Sequence, residues 1–268
     1  MAVDHYENFP VASVLLPRRL RRPVALIYRF AREADDFADE GDAPAPVRLE
    51  QLDQFRLQLA NLERGAQPEI AWFSDLGREI DRHRLPLQPF YDLLSAFSQD
   101  VVKARYADYA EVLDYCSRSA NPVGRLMLAL FQATGSRHLE CSDAICSSLQ
   151  LVNFLQDVAI DYRKDRIYLP QDEMARFGVT EDAVARGETG ENWRSFMAFQ
   201  VARTRALLFA GAPLGRMLEG RIGLELRMTV AGGARILEKI KNVHGDVFAR
   251  RPVLRPWDWP LMLARSIR

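Results

Sequence analysis

The chain has 268 residues, of which 48% are apolar, enough to fill a sizeable core within one domain. Lys plus Arg and Asp plus Glu both total 36, so the net charge of zero offers no general attraction to nucleic acid, and any electrostatic function must come from local clustering. No apolar run reaches the roughly 18 residues of a membrane span, no basic-then-apolar leader opens the chain, and Cys116, Cys141 and Cys146 have no metal-ligand spacing, so a cytoplasmic protein with reduced thiols is expected.

Residues 23–40 carry Val24, Ile27, Tyr28, Ala31 and Ala34 at three- and four-residue intervals, the period of a helix, and the acids Asp35, Asp36 and Asp39 fall at its C-terminal end. The Gly- and Pro-rich stretch 41–46 breaks the chain before a second helix over 47–62. Helical patterns continue over 72–83, 87–102, 109–134, 142–162, 192–217 and 222–241. Pro122 lacks a backbone donor and should kink the helix from Tyr109 near residues 119–121, freeing carbonyls toward a cavity. The stretch 170–191 is polar and reads as a surface excursion. No segment alternates like a strand, and no Gly-rich loop follows one, so the expectation is an all-α fold forming a single domain over 1–268.

Carboxylates inside apolar helical patterns are costly to bury without a partner. A helix stacks positions i, i+4 and i+8 along one stripe, which aligns Asp35 with Asp39 and makes a ladder of Asn153, Asp157 and Asp161. Such hard oxygen ligands suit Mg²⁺, which prefers a few carboxylates plus phosphate oxygens and water. A lone ladder reads better as a solvated face, or as N-terminal acids favoured by the helix dipole. Two ladders in one chain, each with basic residues nearby, point to a diphosphate held through Mg²⁺.

The ordered motifs Tyr28-x-x-x-Arg32-x-x-Asp35-Asp36-x-x-Asp39, then Tyr115-Cys116, then Gln150-x-x-Asn153-x-x-x-Asp157-x-x-x-Asp161 and Arg166-x-Tyr168-Leu169-Pro170 resemble those of the squalene and phytoene synthases. The segments His5 to Val11, Ser119 to Gly124 and Asn153 to Asp157 are most similar to the hydroxysqualene synthases of bacterial hopanoid pathways. The resemblance implies an isoprenoid-synthase helical bundle around a central cavity, with the two acidic helices facing each other. It makes Asp35, Asp36, Asp39, Asn153, Asp157 and Asp161 the metal set, although Asp36 points about 100° away from its neighbour. It places His5, Tyr6, Glu7, Asn8, Tyr28, Arg32, Gln150, Gln156, Arg166 and Tyr168 around the substrate, and the catalytic group becomes Asp35, Asp39, Asp157, Asp161, Tyr28, Tyr115 and Asn121.

Three departures from the wider family stand out. Gln156 occupies a position that usually carries Arg, which removes a fixed charge beside the metals. Asn121 puts an amide at the Pro122 bend, where it could orient a water. Gly232-Gly233 stands where a Tyr is usual, so a wider cavity is expected. The implied reaction is ionisation of presqualene diphosphate, rearrangement and capture by water to give hydroxysqualene, with Mg²⁺ and without NADPH. The alternatives are head-to-head condensation of two prenyl diphosphates, against which Gln156 and Gly233 argue, and a non-catalytic isoprenoid-pathway binding protein. Phe9, Tyr28, Phe30, Tyr115, Phe131 and Phe154 are available as aromatic walls for a carbocation. The C-terminal stretch mixes Arg with Trp257 and Trp259, a composition suited to peripheral contact with a membrane or to pinning the tail onto the domain. Pathway partner enzymes are a further expectation.

Overall fold

The structure, a computed structural model, describes residues 16–267. His5, Tyr6, Glu7, Asn8 and Phe9 lie outside the described residues.

The helices are α1 (Arg18–Asp39), α2 (Ala45–Glu63), α3 (Ala71–His83), α4 (Gln88–Val102), α5 (Tyr109–Ser119), α6 (Asn121–Leu130), α7 (Ser136–Arg163), α8 (Gln171–Arg176), α9 (Glu181–Ala185), α10 (Glu191–Gly211), α11 (Leu214–Met217), α12 (Gly220–Asn242) and α13 (Asp258–Ile267). The all-α expectation holds apart from one short parallel pair, β1 (Arg105–Tyr106) with β2 (Ile167–Pro170), an element too short for strand alternation to register.

Helix α1 begins earlier than its periodicity suggested, because Leu16, Leu20 and Val24 form one buried stripe that carries the helix through Pro23. At its other end, Arg48 of α2 donates to the carbonyl of Ala38, an acceptor that the last helical turn leaves open, and to those of Gly41 and Ala43 in the connection that follows. The predicted kink at Pro122 is a full break. Helix α5 stops at Ser119 and α6 starts at Asn121, with Pro122 in the first turn, where a missing N–H costs nothing. Pro213 likewise separates α10 from α11, which periodicity alone had joined.

The stretch 170–191 is not a surface excursion. It folds into α8 and α9 and buries Met174, Val179 and Val184 against the main core. Its polar Glu173 is buried too, accepting from Arg203 and Gln200 of α10. Three well-spaced apolar residues were enough to anchor a segment whose average composition is polar.

A first core packs α1 to α4 with part of α6 around Phe30, Phe55, Phe73 and Phe90, whose rings meet at centroid distances of 4.9–5.9 Å, mostly edge-on. Phe30 is therefore a core residue and not a cavity wall. A second core packs α7 against α10 and α12. The Gly232-Gly233 pair belongs to this packing. A Cβ on Gly233 would meet Leu149 at 2.8 Å and Leu208 at 3.2 Å, and one on Gly232 would meet Met262 at 3.3 Å. The two glycines bring α12 close to α7, α10 and α13 and do not widen the cavity, so Gly233 no longer argues against condensation.

No helix among the described residues is long and apolar enough to cross a membrane. All three cysteines are buried and unpaired.

Candidate active site

Helix α7 sets the axis of a cavity of about 580 Å³. Along its inner face the lining changes from Ser142, Cys146 and Leu149 to Asn153, Asp157 and Asp161, a run of roughly 28 Å at 1.5 Å per residue. Across from it, α1 contributes Val24, Ile27 and Tyr28 and then Arg32, Asp35 and Asp39. Both carboxylate sets thus sit at helix C-terminal ends, where the dipole disfavours negative charge, so helix stability cannot be why they are there. The remaining wall is mainly apolar, with Val123 and Met127 of α6, Phe131 just past it, Leu214 of α11, and Ile222 and Leu226 of α12, while Ser119, Glu225 and Thr229 are polar exceptions.

The carboxylates are crowded. Burial, and then the charge of Asp39, pushes Asp35 up to about 7; burial, and then Asp157, does the same to Asp161. Two ion pairs from elsewhere in the chain offset part of the charge. Arg166, just past α7, donates to Asp39, with Lys164 3.4 Å from the same carboxylate. Arg251, from the segment between α12 and α13, meets Asp157 with both Nε and a terminal nitrogen, the latter at 2.9 Å.

Beside the acids stands an aromatic and phenolic group. The Tyr115 and Tyr168 hydroxyls donate to the Asp100 carboxylate at 2.5 and 3.0 Å, and Phe154 stacks on Tyr168 with ring centroids 4.0 Å apart. Burial raises Asp100 to about 6 even though both phenols and Arg166 pull it down. The same burial, with Asp100 adjacent, pushes both phenols well above their ordinary range, so they remain protonated donors.

Of the residues singled out in the sequence, Tyr28, Arg32, Asp35, Asp39, Tyr115, Gln150, Asn153, Asp157, Asp161, Arg166 and Tyr168 line this one cavity. Asp36 does not. It turns to Arg32, 2.7 Å away, as adjacency on the helix requires. Asn121 is also outside the lining, buried between α6 and α7, where its Oδ1 accepts from Ser147 at 2.8 Å and so links the two helices. Gln156 is likewise no substrate contact. It is buried behind the cavity, and its Nε2 donates to the Pro252 carbonyl at 2.7 Å.

Asp100 and Arg251 were missed. Asp100 had a signal, since Leu93, Phe97 and Asp100 recur on one face of α4 and place a carboxylate on an otherwise buried stripe. Arg251 had none, because its partner is 94 residues away in sequence.

The sequence pattern of squalene/phytoene synthases matches residues 2–258. The chain belongs to the squalene/phytoene synthase family. Members of this family are enzymes that process prenyl diphosphates in isoprenoid biosynthesis. The hydroxysqualene synthase of Rhodopseudomonas palustris is 36% identical over 253 residues, covering 93% of this chain and 84% of that protein. The phytoene synthase of Thermus thermophilus is 30% identical over 266 residues, covering 98% of this chain and 88% of that one. Among solved structures, the squalene synthase HpnC from Alicyclobacillus acidocaldarius superposes with a TM-score of 0.82 at 34% identity, covering 90% of each chain.

The family works with a divalent metal on diphosphate substrates in general terms. Among the described residues no three His, Cys, Asp or Glu side chains converge into a self-sufficient metal cluster. The donors instead form two sets on opposite walls, all of them hard oxygens, and the elevated Asp35 and Asp161 mark places where a cation would relieve repulsion. Those residues fit Mg²⁺ shared with phosphate oxygens better than Mg²⁺ held by the protein alone.

Proposed function

We propose that the protein is a Mg²⁺-dependent lyase that ionises presqualene diphosphate and lets water capture the rearranged cation, giving hydroxysqualene. One observation carries the reading: a single cavity holds two opposed carboxylate sets and three guanidinium groups at one end, while mostly aliphatic and aromatic side chains line the rest. The similarity to named hydroxysqualene synthases supports this reaction among those of the family.

Bound Mg²⁺ would stabilise the charge that develops on the leaving diphosphate. Asp35 and Asp39 on one wall, with Asn153, Asp157 and Asp161 on the other, are the proposed ligands. Arg32, Arg166 and Arg251 would orient phosphate oxygens, and their planar forks suit that geometry. The carbon–oxygen bond breaks with its electron pair leaving on the diphosphate. The cation left behind lies in a wall that excludes bulk water and offers the ring faces of Tyr28, Phe131 and Phe154. A water oxygen then bonds to the cation and sheds one proton. Asp100, held by Tyr115 and Tyr168, is the anionic group placed to take that proton up. No electrons are added, so the balance needs no NADPH.

Head-to-head condensation is the second reading, favoured by the similarity to a phytoene synthase. Purified protein incubated with Mg²⁺ and either presqualene diphosphate or farnesyl diphosphate, with products identified by mass spectrometry, separates the two. Hydroxysqualene from presqualene diphosphate without reductant supports the lyase, and consumption of farnesyl diphosphate alone sinks it.

A further inference from the structure

Helix α13 is built with its apolar side outward. Its stripe Asp258, Met262 and Ser266 is 1%, 3% and 2% exposed, whereas the stripe about 100° further round the helix, Trp259, Leu263 and Ile267, is 55%, 45% and 71% exposed, and Trp257 beside it is 63% exposed. The alternative that the Trp pair pins the tail to the domain therefore fails. Polar anchors do the pinning. Asp258 accepts from Arg235 at 2.7 Å, from Lys239 at 2.6 Å and from the Arg255 N–H at 2.7 Å. At the other end Arg227 donates to the Ser266 carbonyl at 2.6 Å. These contacts fix the orientation of the helix, so the outward apolar stripe is a feature of the fold and needs a partner that ordinary surface composition does not.

We infer that this face docks on an anionic phospholipid surface. Of the Arg residues in this segment Arg251 is committed to Asp157 and Arg265 to Glu238, and Asp258 is neutralised by Arg235 and Lys239, which leaves Arg250 and Arg255 beside the exposed indoles to complement anionic headgroups. The Arg255 guanidinium lies 5.1 Å from the centre of the Trp257 ring, so charge and indole are presented together, as an interfacial helix requires. A second copy is a poor occupant, because a two-fold interface would press two such basic segments against each other. The same Arg227 that holds Ser266 also donates to the Gly215 carbonyl at 2.5 Å, tying α13 to α11, which lines the apolar end of the cavity. The lipid surface would thus lie along the half of the molecule that holds hydrocarbon. The inference rests on the exposed face and its charge, not on the reaction assigned above.

Flotation of the full chain with phosphatidylcholine vesicles, with and without phosphatidylglycerol, tests it. The protein should float with the anionic vesicles, less with the neutral ones, and less again as salt rises. The variant Trp259→Ser/Leu263→Ser/Ile267→Ser should lose at least about tenfold in partitioning while keeping its circular dichroism and melting temperature. In parallel, lipids brominated in the acyl chain should quench the wild-type fluorescence, and the milder Trp257→Phe/Trp259→Phe variant should lose that quenching. This arm reads the contact even where the serine variant misfolds. Absence of wild-type flotation on anionic vesicles, quenching unchanged in the double variant, or a wild-type dimer that the serine variant converts to monomer would overturn the proposal.

Discussion

Gln156 offers a test of how the C-terminal segment serves the site. Its side chain is 1% exposed, with Nε2 2.7 Å from the Pro252 carbonyl and Oε1 buried without a partner among the described residues. Replacing it by Leu removes a tether from one residue beyond Arg251, and it also removes the unsatisfied oxygen. An unpaired buried polar group costs about 1–3 kcal/mol, so the loss at Pro252 and the relief at Oε1 should nearly cancel, leaving global stability within about 1 kcal/mol. The segment itself loses one bond of about 1 kcal/mol, enough to lower the population of correctly placed Arg251 by roughly fivefold. We expect kcat/KM for the prenyl diphosphate to fall by about that factor, mainly through KM, with the urea midpoint hardly moved. Arg251→Ala should cost more, on the order of a hundredfold, if it reads phosphate as a charged, desolvated contact. The decisive measurement is the double-mutant cycle: once Arg251 is gone, Gln156→Leu should add almost nothing, giving a coupling of about 1 kcal/mol. Independent, multiplying effects of the two substitutions, or wild-type kcat/KM in Gln156→Leu, would refute a role through Arg251.

Asp157→Asn should lower turnover by about two orders of magnitude or more while the fold persists, since the partly exposed Arg251 pair contributes little to stability; full activity with unchanged Mg²⁺ dependence would count against the metal assignment. Burial tends to raise Asp258, but Lys239, Arg235 and the Arg255 N–H outweigh it and hold the carboxyl at about 2. A lowered folded-state pKa contributes stability that is present above the unfolded value and lost as pH falls through the folded one, so Asp258→Asn should cost about 1–2 kcal/mol in urea melts at pH 7 and progressively less between pH 4 and pH 2. Gly223→Ala should destabilise by about 1–3 kcal/mol in thermal melts, because its Cβ would collide with the Leu218 carbonyl and lie 2.7 Å from that of Gly215, both fixed backbone atoms.

The helices and both acid ladders were legible because each is a local pattern: apolar residues recurring every three or four positions, and oxygen ligands recurring every four. The places where reading failed were set by packing between distant segments. Pro122 was recognised as a disruption, but whether a proline kinks or ends a helix depends on what receives the freed carbonyls. Gly233 was read as a missing ring in the cavity wall, whereas its neighbours Leu149 and Leu208 make it a point of close helix approach. The stretch 170–191 was judged by its mean polarity, although three buried side chains decided its fold.

Gln156 shows why a substitution within a motif can be read correctly in sign and wrongly in place. The loss of an Arg beside the second ladder implied that charge there had to be supplied differently, and Arg251 does meet Asp157. The amide at this position points away from the cavity and holds the chain that carries Arg251. Charge at a site is a property of the volume around it, so a position that loses a cation can be compensated by any segment that reaches the same volume. A cation serving that volume is then better sought among the contacts of the side chain at the altered position than in the sequence next to it. Here the contact is Pro252, and Arg251 is its neighbour.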